Sequence, residues 1–539
     1  MMKREGFFRN LGSDLPSSIV VFLVALPLCL GVALASNASP FSGIIAGFVG
    51  GIVVGSLSGS QLSVSGPAAG LTAIVGAAVL RMPAFEVFLL SVFLCGALQI
   101  VLGSIKAGVI GDYVPSGVIK GMLAAIGLIL ILNQFPHLLG DDSHFENDER
   151  VTQEKGNMFS NFINAFAHIT PLALLIGGVC LAFHFIWEKI VSKRKGFIRF
   201  VPAPLLVVLI GVSMNIFFGG DSALKGEHLV IIPQAGSPSE FFTFFTHPDF
   251  TAFGNKDVWV TAVTLAIVAS IETLLSIEAV DDLDPYQRVT NKNRELRAQG
   301  VGNMLSGLIG GLPVTSVIVR SSANVNSGAK TKASTIMHGL LLLGCVAFIP
   351  MVLNLIPKAA LAAVLIFTGY KLAKPSLFIS LYKKGWDQFL PFIITIVAIL
   401  LTDLLIGVVI GIGVGIFFVI RSNFKTSVFI VNDNSRYLFR LRKDVSFLNK
   451  PIIKNKLEEV PEDSSVIIDA SRADFIDKDI IEVIEDFMIH APLKNIRVEL
   501  KHSSFRDQGF NKKVISDSNK QADLIRTPEK NVEQIAVNN

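Results

Sequence analysis

The chain has 539 residues, of which 51% are hydrophobic and 17% are charged, and its mean hydropathy is +0.58. An average soluble domain is about 25% charged, so a soluble chain of this length could not cover so much apolar surface. This composition excludes an ordinary cytosolic enzyme and a disordered chain. The net charge of +4 is too small and too scattered for a nucleic-acid binder.

The charged residues are missing in long blocks. None occurs between Asp14 and Arg81, and because a spanning helix needs about 20 mostly apolar residues, this gap can hold two spans and part of a third. The first apolar stretch resembles a cleavable signal peptide, but Pro27 interrupts it and more apolar segments follow, which favours a retained helix. Further long apolar runs start near Ala84, Ala107, Pro171, Pro202, Val258, Asn303, Ala333, Ala359, Phe389 and Leu404. The pattern predicts about 12 to 14 membrane spans.

Lysine and arginine in the short loops predict the orientation, because cytoplasmic loops carry an excess of these residues. The basic N-terminus and the basic segments 187–199 and 371–384 are expected in the cytoplasm, and the acid-rich loop 141–155 is expected outside. An even number of spans then places both termini in the cytoplasm. The chain is therefore predicted to be a multi-pass protein of the cell inner membrane.

Glycine recurs every fourth residue in the second apolar segment, at Gly43, Gly47, Gly51 and Gly55. This spacing lets helix backbones approach closely. We therefore expect the glycine face of this segment to pack against neighbouring helices.

Two apolar segments are interrupted by glycine, proline and small residues. The first break covers 63–70 and opens a short apolar piece that ends at Arg81; the second covers 310–316 and opens a piece that ends near Arg320. Transporters often bind substrate where two broken helices meet, because the helix N-termini can hold an anion. One break lies early in each half of the chain, which suits an inverted repeat. Ordinary loops or kinks are the less favoured alternative, since irregular backbone at membrane depth must be buried or line a cavity.

Glu272 lies in or near the apolar segment 258–275. A carboxylate in the membrane is costly and usually marks an ion or proton pathway. Glu272 is therefore predicted to be protonated or to bind Na⁺ with help from Ser276 and carbonyl groups, and no other cofactor is expected. The alternative places it near the cytoplasmic end of the helix, close to a solvated loop that contains Glu278, Asp281, Asp282 and Asp284.

Other isolated polar residues carry weaker predictions. Arg320 is the basic residue nearest the second break; it either strengthens the field that holds an anion, or caps the short helix or snorkels towards water. Asp403 is interpreted as a turn and N-cap, and His338 as a packed, hydrogen-bonded residue. The chain contains no GxSxG, HExxH or P-loop motif, so no enzyme activity is predicted.

The character of the chain changes after Arg421. Apolar residues repeat at helical spacing between Ile480 and Met488, and short strands are predicted at 428–431, 437–441, 466–468 and 496–500. These elements predict a small α/β domain. The predicted division is a transmembrane transport domain over 1–421, a cytoplasmic domain over 422–510 and a polar, disordered tail over 511–539.

Five short segments follow one another in a specific order. They are Gly59-Ser60-Gln61-Leu62-Ser63-Val64-Ser65-Gly66-Pro67, Gln299-Gly300-Val301-Gly302-Asn303, Gly310-Gly311-Leu312-Pro313, Arg320-Ser321-Ser322 and Gly328-Ala329-Lys330-Thr331. With these segments the chain resembles the SulP (sulfate permease) family of inorganic anion transporters, and its C-terminal region resembles the STAS domain of that family. The resemblance covers nearly the whole chain.

The resemblance implies a polytopic α-helical membrane protein of the SulP/UraA-like fold, with 14 helices arranged as two inverted repeats of seven, a dimer and an elevator-like motion. In that fold helices three and ten are half-helices with the anion between their N-termini. The implied anion-binding residues are Ala68, Ala69, Ser316, Val317, Ile318 and Val319, with Arg320 at the position of a frequent arginine. Glu272 and Ser276 fall on helix eight, where related members carry a coupling residue.

The chain departs from the family pattern at several positions. Leu28 follows the proline of helix one, where many members have a polar residue, and Val32 and Ala68 replace common aromatic or hydroxyl residues. The pocket therefore gives few side-chain clues to the substrate. Asp477-Lys478-Asp479 stands where related regulatory domains carry a serine switch, so no phosphoserine switch is expected.

Together, the residues and the resemblance predict a secondary active transporter of a small inorganic anion, sulfate or bicarbonate, coupled to H⁺ or Na⁺. The expected partners are the anion, the lipid bilayer and a second copy of the chain, and no nucleic acid. Three alternatives stay open: an uncoupled anion channel, a dicarboxylate transporter, and a membrane scaffold or sensor that signals through the soluble tail.

Overall fold

A computed structural model of the chain describes residues 10–109, 114–141, 162–163, 165–191, 201–219, 223–402, 404–433, 435–502 and 510. The described residues form two compact units, divided between Ile412 and Gly413. The predicted domain limits at 421 and 510 stay predictions. Outside the described residues lie the basic N-terminus, most of the acidic loop 141–155, most of the basic segment 187–199, Asp403 and the predicted tail 511–539.

The first unit is built of helices, which we number α1 to α14. They are α1 Leu11–Ala35, α2 Pro40–Leu57, α3 Thr72–Arg81, α4 Phe85–Ser104, α5 Ser116–Leu139, α6 Pro171–Val191, α7 Ala203–Gly219, α8 Lys256–Leu283, α9 Lys292–Leu308, α10 Ile318–Asn326, α11 Ala333–Phe348, α12 Lys358–Leu372, α13 Trp386–Leu401 and α14 Leu404–Ser427. Shorter helices lie at Pro238–Thr243, Pro350–Leu353 and Pro375–Lys383. The division between the two units falls inside α14.

Many of these helices have the length and composition of membrane spans. Seven in the described part of the chain are long and apolar enough to cross a membrane: α1, α2, α4, α5, α6, α8, and α12 with the short helix that follows it. Shorter apolar helices are α3, α7, α11, α13 and the first part of α14. The predicted polytopic helical fold is therefore confirmed, whereas the count of 14 spans stays a prediction.

Two of the apolar runs start at positions where no membrane helix begins. The apolar run near Ala107 begins with a three-ten turn, and the helix proper starts only at Ser116. The run near Asn303 belongs to α9, which already begins at Lys292. Hydropathy misses the first turns of α9 because the helix buries polar side chains instead of apolar ones.

The glycine face of α2 packs closely, as expected. A Cβ atom added at Gly43 would lie 2.1 Å from the carbonyl oxygen of Cys29 in α1, and one at Gly51 would lie 2.7 Å from Cα of Gly339 in α11. Because real Cβ atoms do not approach backbone atoms so closely, both glycines are needed for these helix contacts.

Two short strands join the two halves of the first unit. Strand β1 (Ser65–Pro67) follows α2, and strand β2 (Val314–Ser316) follows α9. They pair antiparallel with Gly66 opposite Thr315. Gly50 of α2 makes room for β1, because a Cβ there would lie 2.4 Å from the carbonyl oxygen of Ser65.

The second unit contains one four-stranded sheet. Its strands are β3 Val428–Asp433, β4 Arg436–Val445, β5 Ser465–Ile476 and β6 Arg497–Lys501, in the order β3-β4-β5-β6. The β3–β4 pair is antiparallel and the other two pairs are parallel. Helix α15 (Lys450–Glu458) precedes β5, and α16 (Lys478–His490) connects β5 to β6. The predicted strands and the predicted helix are confirmed, and α15 is an additional element.

The side chains of the second unit explain why α16 and β5 form. Asp477 caps α16 by accepting a hydrogen bond from the N–H of Asp479, and the apolar face of the helix packs on the sheet. In β5, Arg440 of β4 donates to Asp469 at 3.0 Å. Burial alone would raise the pKa of Asp469, but hydrogen bonds from Ser471 and Arg440 outweigh it and hold that pKa below its usual value.

Candidate functional site

The two sequence breaks meet in space. Strand β1 continues through Ala68 into a three-ten turn, Ala69–Leu71, which leads directly into α3. Strand β2 continues through Val317 into α10. Because β1 and β2 are hydrogen-bonded to each other, the two short helices start from one shared crossing point.

The first turn of α10 and the three-ten turn before α3 begin with backbone donors that have no intrahelical partner. The first N–H groups of any helix lack such a partner, and no side chain caps α10 or the three-ten turn. Helix α3 itself begins with paired donors, because the N–H of Leu71 bonds the carbonyl of Ala68 and that of Thr72 bonds the carbonyl of Ala69. In α10 the first intrahelical donor is Ser321, whose N–H bonds the carbonyl of Val317 at 3.0 Å. The N–H groups of Ile318, Val319 and Arg320 therefore carry the positive end of the helix dipole.

The three-ten turn before α3 and the first turn of α10 line one cavity of about 350 Å³. The cavity has two sides. We name one the core wall, which is formed by α1, the turn before α3, α8 and α10, and the other the α5–α12 wall. The predicted residues on the core wall are Ala69, Glu272, Ser276, Val317, Ile318, Val319 and Arg320. The structure thus brings seven of the predicted residues to one place.

Two predicted residues lie behind the cavity lining. Ala68 is buried and accepts a hydrogen bond from the N–H of Leu71. Ser316 is also buried; its hydroxyl lies 2.6 Å from that of Ser63, and its N–H donates to Thr273 Oγ1 at 3.3 Å. Both residues therefore support the crossing of the strands and do not face the cavity.

The short apolar piece that follows the second break extends further than predicted, so its predicted end is wrong. Arg320 was expected near its end, but it lies in the first turn of α10, which continues to Asn326. The polar residues Ser321 and Asn324 are fully buried, so hydropathy stops too early. Both residues hold the strand before α3: Ser321 accepts from the N–H of Val64, and Asn324 donates to the carbonyl of Leu62.

Arg320 is fully buried at the crossing, with 0% of its surface exposed, so it does not snorkel towards water. Its Nη2 donates to the carbonyl of Pro67 at 3.1 Å, while Nε and Nη1 have no hydrogen-bond partner among the described residues. A Cβ at Gly66 would lie 2.1 Å from Nη1. The guanidinium therefore fills the space that Gly66 leaves open.

Glu272 lies against the turn that precedes α3. A Cβ at Gly70 would lie 2.6 Å from Oε1 and 2.8 Å from Oε2 of Glu272. Oε2 is buried and has no hydrogen-bond partner among the described residues. Ser276 lies one turn further along α8 and lines the same cavity. The carboxylate therefore stands beside the turn that leads into α3.

The solvated loop predicted after Glu272 is wrong. Helix α8 continues to Leu283, so Glu278, Asp281 and Asp282 are helical. Asp281 accepts hydrogen bonds from the N–H and hydroxyl of Thr290 at 2.7 and 2.6 Å. Asp284 is buried and pairs with Arg288 at 2.6 Å. Of the four acids, Glu278 and Asp282 line the cavity.

A buried polar stripe on α9 holds the crossing in place, a role that no local sequence pattern predicts. The side-chain amide of Asn303 donates to the carbonyl of Val314 at 2.9 Å, and its oxygen accepts from the N–H of Val314 at 2.5 Å. Gln299 donates to the hydroxyl of Ser65 at 2.7 Å. Because α9 bonds both strands, it fixes the relative position of the two half-helices.

The loop after α10 is tied to the first helix. Asp14 of α1 is fully buried and accepts hydrogen bonds from the N–H groups of Lys330 and Thr331 at 2.7 and 3.2 Å. Its other oxygen accepts from the hydroxyl of Thr331 at 2.5 Å. This contact explains why a carboxylate stands at the start of a long uncharged stretch.

The remaining isolated residues have structural roles. His338 is buried in α11, and its Nδ1 lies 3.0 Å from the carbonyl oxygen of Thr335, as the packed interpretation requires. The four cysteines are buried and free.

Lys120 and Thr368, on the α5–α12 wall, also line the cavity. Lys120 was missed although it is a lone charge in an apolar helix.

Comparison with known proteins identifies the family. The sulfate permease family matches residues 11–398. YvdB of Bacillus subtilis (strain 168), which is named as a candidate sulfate transporter, is 27% identical over 436 residues, which are 80% of this chain and 78% of that protein. The bicarbonate transporter BicA of Picosynechococcus sp. is 24% identical over 420 residues, which are 76% of this chain and 69% of that protein.

Solved structures share the fold. The transmembrane domain of a cyanobacterial BicA superposes with a TM-score of 0.60 at 22% identity, over 76% of this chain and 98% of that one. The overall structure of SLC26A9 superposes with a TM-score of 0.73 at 18% identity, over 91% of this chain and 84% of that one. The second unit, with its α/β sheet, is consistent with a STAS domain. The chain therefore belongs to the sulfate permease family, a family of membrane transporters and not of enzymes.

Proposed function

We propose that this member of the sulfate permease family is a secondary active transporter that carries sulfate or bicarbonate across the inner membrane, with both termini in the cytoplasm. The observation that carries the proposal is the meeting of two broken helices at one cavity beside a fully buried arginine. The names of related proteins include transporters of both anions.

The site holds an anion mainly through backbone groups. The N–H groups of the turn before α3 and of the start of α10 point positive dipole ends at the cavity, and the buried guanidinium of Arg320 adds a full positive charge. A tetrahedral oxyanion and a planar one can both accept hydrogen bonds from such donors. The site therefore recognises the negatively charged oxygen atoms of an anion more than the shape of the anion.

Glu272 couples anion binding to a cation. Its unpartnered oxygen lies beside the turn before α3, so an ionised carboxylate would repel an anion bound there. Uptake of H⁺, or of Na⁺ with help from Ser276, removes this repulsion. Because coupling between two ligands is reciprocal, the bound anion in turn strengthens cation binding. The two species then move together.

Transport proceeds by an elevator motion in a homodimer. The backbone donors, Arg320 and Glu272 belong to the core wall, and the α5–α12 wall contributes none of these three. Helices α5 and α12 pack closely: a Cβ at Gly127 would lie 2.5 Å from the carbonyl oxygen of Gly369. A core wall that slides along this packed pair would carry both bound ions as one body.

Uptake into proteoliposomes that contain the full chain tests the proposal. Labelled sulfate and bicarbonate are supplied with and without inward H⁺ or Na⁺ gradients. We expect gradient-stimulated uptake of at least one of them, loss of stimulation in Glu272→Gln, and normal stimulation in Glu86→Gln, which neutralises an exposed carboxylate on α4. If neither sulfate nor bicarbonate is taken up, the transport proposal is refuted. Electrically measured flux that ignores both gradients and Glu272 would indicate a channel instead.

A further inference from the structure

The α5–α12 wall carries a single charged side chain among its described lining residues, Lys120 of α5. Lys120 is half-buried and makes no hydrogen bond or ion pair within the described part of the chain. Thr368, the other polar residue on this wall, already donates to the carbonyl of Val364 at 2.9 Å. Lys120 is therefore the group on this wall whose charge is available to a ligand.

Packing fixes the face of α5 that carries Lys120. A Cβ at Gly117 would lie 2.7 Å from the carbonyl oxygen of Gln388, and one at Gly121 would lie 2.7 Å from that of Phe392. These contacts press one side of α5 against α13. Lys120 lies on a side of α5 that lines the cavity, together with Ile119 and Leu123.

The two cations among the described lining residues of the cavity lie on opposite walls. Arg320 on the core wall is positive and fully buried, and Lys120 faces the cavity from the other wall. Three carboxylates of α8 also line the core wall. Glu278 is exposed and pairs with Lys292 at 3.4 Å, and Asp282 is exposed. Glu272 is the proposed coupling group, whose charge is removed when its cation binds. An anion between the walls then has one cation on each side.

We infer that Lys120 determines which charge class of anion the site prefers, and that it favours a divalent oxyanion over a monovalent one. This inference rests on the proposed transport function. The attraction of one cation for an anion is proportional to the charge of the anion. If removing Lys120 lowers the affinity for a monoanion by a certain factor, it therefore lowers the affinity for a dianion by the square of that factor.

The desolvation cost of each anion does not disturb this comparison. A dianion loses more hydration than a monoanion on entering the cavity, but the loss is the same with or without Lys120. The ratio of variant to wild-type affinity isolates the contribution of Lys120. If the loss is on the order of fivefold for bicarbonate, Coulomb's law gives about 25-fold for sulfate.

Binding measurements on the purified full chain test the inference. Dissociation constants for sulfate and for bicarbonate are measured by calorimetry at low and high salt, for the wild type, Lys120→Gln and Lys120→Arg. Lys383→Gln removes an exposed lysine outside the cavity and is the matched control. We expect Lys120→Gln to weaken sulfate binding by the larger factor, most strongly at low salt, whereas Lys120→Arg and Lys383→Gln keep the wild-type preference.

Each outcome has a separate meaning. Equal losses for the two anions in Lys120→Gln, or unchanged affinity for both, would overturn the inference while leaving the transport proposal intact. The same selective loss in Lys383→Gln would also overturn it, because the effect would then come from the general surface potential. A wild-type chain that binds neither anion would refute the proposed function itself. A melting temperature near that of the wild type shows that each variant is folded.

Discussion

A methyl group at Gly70 should separate anion transport from its coupling. The Cβ of Gly70→Ala would lie 2.6 Å from Oε1 and 2.8 Å from both Cδ and Oε2 of Glu272. The carboxylate must therefore retreat by roughly 0.8 Å to reach ordinary contact. The atoms that must move are the free end of a flexible side chain, so the displacement costs little folding energy.

The effect on coupling should be much larger than the effect on stability. Gly70 does not have a positive φ angle, so alanine fits its backbone and reduces the entropy of the unfolded chain, which stabilises by about 0.4–1 kcal/mol. Where function depends on geometry, a displacement of about 1 Å can cost on the order of 100-fold. We expect a melting temperature at or slightly above that of the wild type and a 10- to 100-fold loss of gradient stimulation.

The assay compares two rates in the same proteoliposomes. Uptake driven by an H⁺ or Na⁺ gradient is divided by anion counterflow without a gradient, so that a change in anion affinity cancels. Gly344→Ala is the control, because a Cβ there meets nothing within 4 Å. Unchanged stimulation in Gly70→Ala, or an equal loss in Gly344→Ala, would refute the placement of Glu272 as the coupling group.

Three further changes test other contacts. Gly66→Ala places a Cβ 2.1 Å from Nη1 of Arg320 and should weaken anion binding more than tenfold, as measured by calorimetry. Asp14→Asn removes one acceptor from the loop around Thr331 and should destabilise the chain by about 1–3 kcal/mol, seen as a lower melting temperature. The depressed pKa of Asp469 contributes stability above about pH 4 that is lost as the pH falls through the folded pKa. Hydrogen exchange in β5 should therefore be faster in Asp469→Asn than in the wild type at neutral pH, and the difference should shrink below about pH 4.

The sequence predicts the half-helix site well because its signal is local. Glycine and proline inside apolar segments interrupt a helix wherever they occur, and two such breaks in matching positions indicate a shared site. The position of Glu272 is also predictable, since a carboxylate within an apolar run has few explanations. The extent of α10 is not, because its buried face consists of Arg320, Ser321 and Asn324.

Other parts of the site depend on contacts between distant residues. Gln299 and Asn303 bond β1 and β2 across a fold that no local pattern reveals, and in sequence they look like the surface of a polar helix. The role proposed for Lys120 depends on the residues of the opposite wall of the cavity, which are distant from it in sequence. Polar residues in a membrane helix can be detected from sequence, but their partners follow from the tertiary structure.

The pairing of β1 with β2 has a consequence for how the chain is made. Ser63 and Ser316, whose hydroxyl groups meet at the crossing, are 253 residues apart in sequence. Until the ribosome has delivered the second strand, the N–H and C=O groups of the first lack their partners, and an unpaired backbone is costly in lipid. The proposed anion site is thus completed only after both halves have been inserted. Chains that stop before residue 314 should expose this defect and be recognised by membrane quality control.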